Sequence, residues 1–216
     1  MIISTFSYSE IKKECELIDK EIIKLFPKAS KVFKNWVKNN RRYGLICLGH
    51  DITKIKGNTV HIFWFGDRVK NKNDLGYYSL VEYKTYDGKT RYIYILPKQT
   101  VEGYGKNQDF QIVIFTNHFA KRIKERMNET FVDWFYNFII KYEGYTIIDE
   151  KEEDKITASL GDTYCFGYNK GNNVIVLTTC INDDLKFENQ EQEHIILKNE
   201  ILDFSFLSRK LLEQVY

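Results

Sequence analysis

The chain has 216 residues, 43% hydrophobic, 29% charged and 15% aromatic, which excludes a disordered polypeptide and leaves room for one substantial core or two small ones. No apolar run approaches the roughly 20 residues of a membrane span, and the start, MIISTFSYSEIKKE, lacks the basic-then-apolar layout of a secretion signal, so a cytoplasmic protein with no membrane partner is expected. Net charge is only +2, but residues 1 to 110 hold 20 Lys and Arg against 12 Asp and Glu, a surplus of +8, while residues 111 to 216 hold 12 against 18, or −6.

The basic front half suits nucleic acid, whose affinity is dominated by phosphate neutralisation, and equally suits an ordinary solvated lysine face. Four cysteines, Cys15, Cys47, Cys165 and Cys180, form no CxxC pair and have no histidine at zinc-finger spacing, so they read as reduced residues rather than ligands.

Ser7 and Glu10 form the sequence signature of a capping box, and Ile11, Cys15, Ile18, Ile22 and Leu25 follow at helical spacing. The spacing predicts a first amphipathic helix ending near Pro27. A second is predicted from about Ala29 to Asn39, with Ala29, Val32, Phe33, Trp36 and Val37 as its apolar stripe and Lys31, Lys34 and Lys38 on other faces. Together they make a helical hairpin with a basic side.

From Tyr43 to Lys98 the pattern changes to β-branched and aromatic runs: YGLICLGHDI, TVHIFWFG, LGYYSLVEYKTY and TRYIYIL, broken at Lys56-Gly57-Asn58, before Asp74 and at Asp87-Gly88. These predict four largely antiparallel strands. Their aromatics, Phe63, Trp64, Tyr83, Tyr92 and Tyr94, either stack on bases or pack the sheet, and sheet packing is the commoner use.

Glu102 to Asp109 is a polar, glycine-containing connection, the best boundary in the chain, and QIVIF after it predicts a strand leading into a helix capped by Thr116 or Asn117. Phe119, Ile123 and Met127 give that helix a buried side. Asn128 marks a break and a fresh cap, followed by a helix carrying Phe131, Trp134, Phe135, Phe138, Ile139 and Tyr142 and ending around Gly144. YTIIDE, TASLGDTYCFGYN and NVIVLTTCI then read as strands. The tail from Asp183 to Asp203 is acidic, and a closing helix is expected through Phe206, Leu207, Leu211 and Val215.

The segment TNHFAKRIKERMN places His118, Arg122 and Arg126 at steps of four, which advance only about 40° each around a helix, so the imidazole and both guanidiniums share one face with Glu125 beside them. A neutral base beside two fixed cations suits a phosphate. Metal-independent RNA cleavage needs a base for the 2′-hydroxyl, positive charge around the phosphate and a proton donor for the leaving oxygen. His118, Arg122 and Arg126 supply the first two, while the donor is left among Glu125, His61, Tyr164 and Tyr168. The structural alternative is that His118 caps or packs and that Arg122, Glu125 and Arg126 form surface ion pairs worth at most about 1 kcal/mol each.

The order of strand, T-x-H-F-x-x-R-x-x-x-R, renewed helix, glycine-containing hairpin and VIVLTT resembles small bacterial toxin-type ribonuclease domains of the RelE and barnase-like group, over about residues 110 to 185. It is particularly similar to a subfamily whose helix opens with His-x-x-x-Arg-x-x-x-Arg. The resemblance implies that His118, Arg122 and Arg126, with Thr178 or Thr179 on the final strand, surround an RNA phosphate, and that a protein antitoxin is a partner.

No GxGxxG, Walker A, HExxH or G-x-S-x-G pattern is present, and Glu193-His194 and His50-Asp51 read as isolated exposed pairs, so no cofactor and no metal are expected. The expectation is an α+β chain: a helical hairpin and antiparallel sheet over residues 1–105, then a β-α-α-β-β-β unit with a C-terminal helix over residues 106–216. Its expected function is toxin-type endoribonuclease. The alternative is a non-enzymatic nucleic-acid-binding or host-protein-binding protein of a phage or mobile element.

Overall fold

The computed structural model describes residues 2, 5–40, 44–69, 72–96, 110–142, 146–150 and 154–181. Among them are four helices and nine strands, an α+β fold. The chain divides into two compact units: residues 1–117 with 170–175, and residues 118–169 with 176 onward. The connection at residues 102–109 and the closing C-terminal helix lie outside the described residues.

In the first unit, helix α1 (Tyr8–Ile23) starts as its sequence dictates: Ser7 Oγ accepts from Glu10 N, and the Glu10 carboxylate returns to Ser7 N at 2.7 Å. Ile11, Cys15, Ile18 and Ile22 are buried along one side. Leu25 is 37% exposed instead, because the helix has already ended and Leu25 caps the next one. Helix α2 (Phe26–Asn39) begins three residues before the expected Ala29. Pro27 does not terminate anything. It sits in the first turn, where a proline lacks only an N–H that would have had no helical partner.

Strands β1 (Gly44–Ile55), β2 (Asn58–Val69), β3 (Lys72–Lys84), β4 (Thr90–Leu96) and β5 (Gln111–Phe115) form an antiparallel meander in chain order. Lys56 (φ 48°) and Gly57 (φ 77°) make the two-residue turn between β1 and β2, both in the left-handed region that such a hairpin requires. The register aligns Trp64 with Tyr77, and Phe26 of α2 stands edge-on to both rings at 5.5 Å. Phe33 fixes α2 more tightly still: its ring lies where a Cβ on Gly66 would be, 2.2 Å away, so this glycine is what lets the helix approach β2. Tyr77 also donates its hydroxyl to the half-buried Asp19 of α1, where desolvation raises the carboxyl group's pKa.

The opposite face of these strands carries His61, Phe63, Phe65, Leu80 and Tyr94, all buried. With Trp64 and Tyr83 buried as well, four of the five aromatics weighed for base stacking pack the sheet, and only Tyr92 stays half-buried.

In the second unit, helix α3 (Asn117–Met127) buries Phe119 and Ile123, while Met127 is only half-buried. The break at Asn128 takes a left-handed φ of 55°. The fresh cap is Thr130 rather than Asn128: Asp133 N donates to Thr130 Oγ1 at 3.2 Å. Helix α4 (Phe131–Tyr142) then packs a chain of rings, Phe119 to Phe131 and Trp134 and onward to Phe135 and Phe138. Trp134 Nε1 finds its buried acceptor in Thr163 Oγ1 at 3.1 Å.

Strands β6 (Thr146–Glu150), β7 (Lys155–Leu160), β8 (Thr163–Asn169) and β9 (Val174–Ile181) follow, with neighbours in the order β9-β8-β7-β6. The segment TASLGDTYCFGYN is thus two strands, one more than expected, because Gly161 (φ 64°) and Asp162 turn the chain between paired Leu160 and Thr163. β8 and β9 approach closely: a Cβ on Gly167 would stand 2.1 Å from the carbonyl oxygen of Val176.

Candidate functional site

Strand β5 delivers the chain into α3, whose first turn holds His118 exposed and whose next turns hold Arg122 and Arg126 half-buried. The expected common face is real. Arg122 Nε points at His118 Nε2, 3.4 Å away, and Arg122 Nη1 donates to Glu125 Oε2 at 3.1 Å. Glu125 is shared with Lys121 Nζ at 3.5 Å, and its side chain is 41% exposed, so these ion pairs are solvated and weak.

Arg126 differs from the other two. Its Nη1 donates to the backbone carbonyl oxygen of Cys180 on β9, a residue 54 positions on. A guanidinium bound to a main-chain carbonyl is a fastener between helix and strand, and this is a role the helical spacing did not announce. Burial pushes the Cys180 thiol up to about 12, with Arg126 and then Arg122 pulling in the opposite direction, so both cations lie close enough for their charge to be felt there.

The two threonines proposed for the final strand are separated by strand alternation. Thr178 shares the face of the Cys180 side chain and Thr179 lies on the other. Thr178 Oγ1 donates to Phe166 O at 3.2 Å, while Thr179 is half-buried beside Cys180. Of the groups weighed as proton donors, Tyr164 is fully buried, Tyr168 is 39% exposed, and His61 belongs to the other unit.

His61 reveals the cluster that sequence reasoning missed. The buried ring bridges His50 Nε2, 3.1 Å from its Nδ1, and Glu82 Oε1, 2.9 Å from its Nε2. An ionised carboxylate only accepts, so His61 Nε2 donates to Glu82. His50 also stacks on Phe63, with ring centroids 4.3 Å apart, and Asp51 accepts from Trp64 Nε1 at 2.9 Å. His50 and Asp51 are exposed, as expected, but they are not isolated, and the register was the missing signal: β1, β2 and β3 bring together residues 11 and 21 positions apart. Glu193-His194 lies outside the described residues.

Among the described residues no three His, Cys, Asp or Glu side chains converge as metal ligands, and no helix is long and apolar enough to cross a membrane. Comparisons with protein-family models, with curated proteins and with solved structures find no match for this chain.

Proposed function

We propose that the second unit is a metal-independent endoribonuclease of toxin type, with His118 and Arg122 as its working pair. The observation that carries this reading is the 3.4 Å approach of Arg122 Nε to His118 Nε2 on the exposed side of α3. A guanidinium can only donate, so Nε2 faces it as an acceptor, the role a base needs. A phosphate entering beside Arg122 takes over the guanidinium from both the solvated Glu125 and His118, which frees the Nε2 lone pair for the ribose.

The chemistry then balances without further groups. His118 Nε2 takes the proton of the 2′-hydroxyl, the 2′-oxygen attacks phosphorus, and the bond to the 5′-oxygen breaks with its electron pair. That oxygen leaves with a proton from solvent, and the product is a 2′,3′-cyclic phosphate. Arg122 neutralises charge on the non-bridging oxygens of the transition state. Arg126 acts as a positioning residue, holding α3 against the end of β9 so that Thr178 and the working pair keep their spacing.

Incubation with RNA in EDTA tests the proposal. Cleavage to cyclic phosphate is expected in the wild type, and His118→Ala and Arg122→Ala should each lower the rate on the order of a hundredfold or more. RNA that is retained but never cut, with affinity falling steeply as salt rises, would instead mark a non-enzymatic binding protein. Cleavage unchanged in His118→Ala would dismiss this site.

A further inference from the structure

Helix α2 carries Lys28, Lys31, Lys34 and Lys38 and not one acidic residue in its 14 positions. Its buried side, Ala29 and Phe33, faces away from a stripe formed by Pro27, Ser30, Lys31, Lys34, Asn35 and Lys38. That stripe lines a shallow hollow of about 430 Å³. Lys31, Lys34 and Lys38 are exposed, and among the described residues none pairs with a carboxylate. Some lysines elsewhere do find such partners: Lys24 with Glu21, Lys89 with Asp87, Lys121 with Glu125 and Lys141 with Asp162.

A solvated surface helix ordinarily mixes both signs, and an acidic residue in the first turn would favour the helix dipole. α2 has neither feature. We infer that this face binds the phosphate backbone of a nucleic-acid strand. Lys31 to Lys38 spans about 10 Å of helix axis, which faces about three phosphates at about 3.4 Å of rise per nucleotide in one strand. Asn35 and Ser30, between the lysines, add hydrogen-bonding groups for phosphate or sugar oxygens. No aromatic side chain on which a base could stack lies on the stripe, so the surface holds strands through their backbone. This assignment belongs to the first unit and stands whether or not the second unit cleaves.

The test uses the full chain with the triple substitution Lys31→Gln, Lys34→Gln and Lys38→Gln, and fluorescent single-stranded RNA and single-stranded DNA of mixed sequence. Wild-type binding should weaken with salt, and removing three phosphate contacts should lower affinity on the order of a hundredfold at 50 mM salt and flatten the salt slope by about 2. Lys31→Arg, Lys34→Arg and Lys38→Arg together should restore binding, which separates lost charge from lost fold. RNA and DNA should be held alike; a tenfold preference for RNA would add a 2′-hydroxyl contact to the same surface. Single-stranded DNA has no 2′-hydroxyl to attack phosphorus, so its binding is read separately from cleavage. Equal affinity of wild type and glutamine variant, absence of binding in wild type, or tighter binding of polyglutamate than of either strand would each overturn the assignment, the last in favour of an acidic protein partner.

Discussion

Helices α2 and α3 both display cations at helical spacing, yet their surroundings commit those cations differently. On α3, Arg122 is shared with His118 and Glu125, and Arg126 is tied to the carbonyl of Cys180. On α2, the three lysines of the exposed stripe have no carboxylate partner among the described residues. The difference teaches that spacing decides which charges share a face, while neighbours on other elements decide which remain available to a ligand.

The contrast depends first on the two close approaches that hold these elements in place. Gly167→Ala should have the largest effect, about 3 kcal/mol of lost stability in urea unfolding, because the added methyl meets the Val176 backbone carbonyl, which cannot move without disturbing β9. Gly66→Ala meets the Phe33 ring, which can shift only by displacing α2, and should cost about 2 kcal/mol. Its accompanying sign would be weaker nucleic-acid binding with RNA cleavage retained. An unchanged urea midpoint in either variant would break the packing account.

A matched pair of substitutions sharpens the comparison. Arg126→Gln removes a charged donor from a main-chain carbonyl and should cost about 1.5 kcal/mol, whereas Lys34→Gln on the exposed α2 face should stay within about 0.5 kcal/mol. Equal costs would mean that Arg126 is as solvated as Lys34. The smallest effect is expected at Glu125→Gln: breaking its exposed pairs with Arg122 and Lys121 should change stability by less than about 1 kcal/mol. Freeing Arg122 should then raise RNA affinity two- to threefold, about 0.5 kcal/mol, measured by titration. A fall in affinity would show that Glu125 positions Arg122 rather than competing for it.

Much of the local structure was legible because it is encoded within a turn or a strand. Ser7 and Glu10 cap α1, Lys56-Gly57 closes the first hairpin, and Phe119 with Ile123 forms the buried side of α3, each through contacts a few residues apart. Pro27 misled because a proline stops a helix from inside but opens one from its first turn, and the sequence carries both possibilities. Thr130 displaced Asn128 as the cap of α4 for a similar reason: both residue types cap, and only the backbone shows which side chain reaches an amide.

What the sequence determined by itself was the composition of each face: the period of the apolar positions places His118, Arg122 and Arg126 together on α3, and Lys31, Lys34 and Lys38 together on α2. Tertiary structure decided what those faces meet. The Arg126 link to Cys180 spans 54 positions and the His50–His61–Glu82 line joins three strands, and both depend on register and strand order, which no local pattern contains. Helical and strand periods are properties of neighbouring residues, whereas a hydrogen bond across elements exists only once the whole sheet has fixed where each backbone lies.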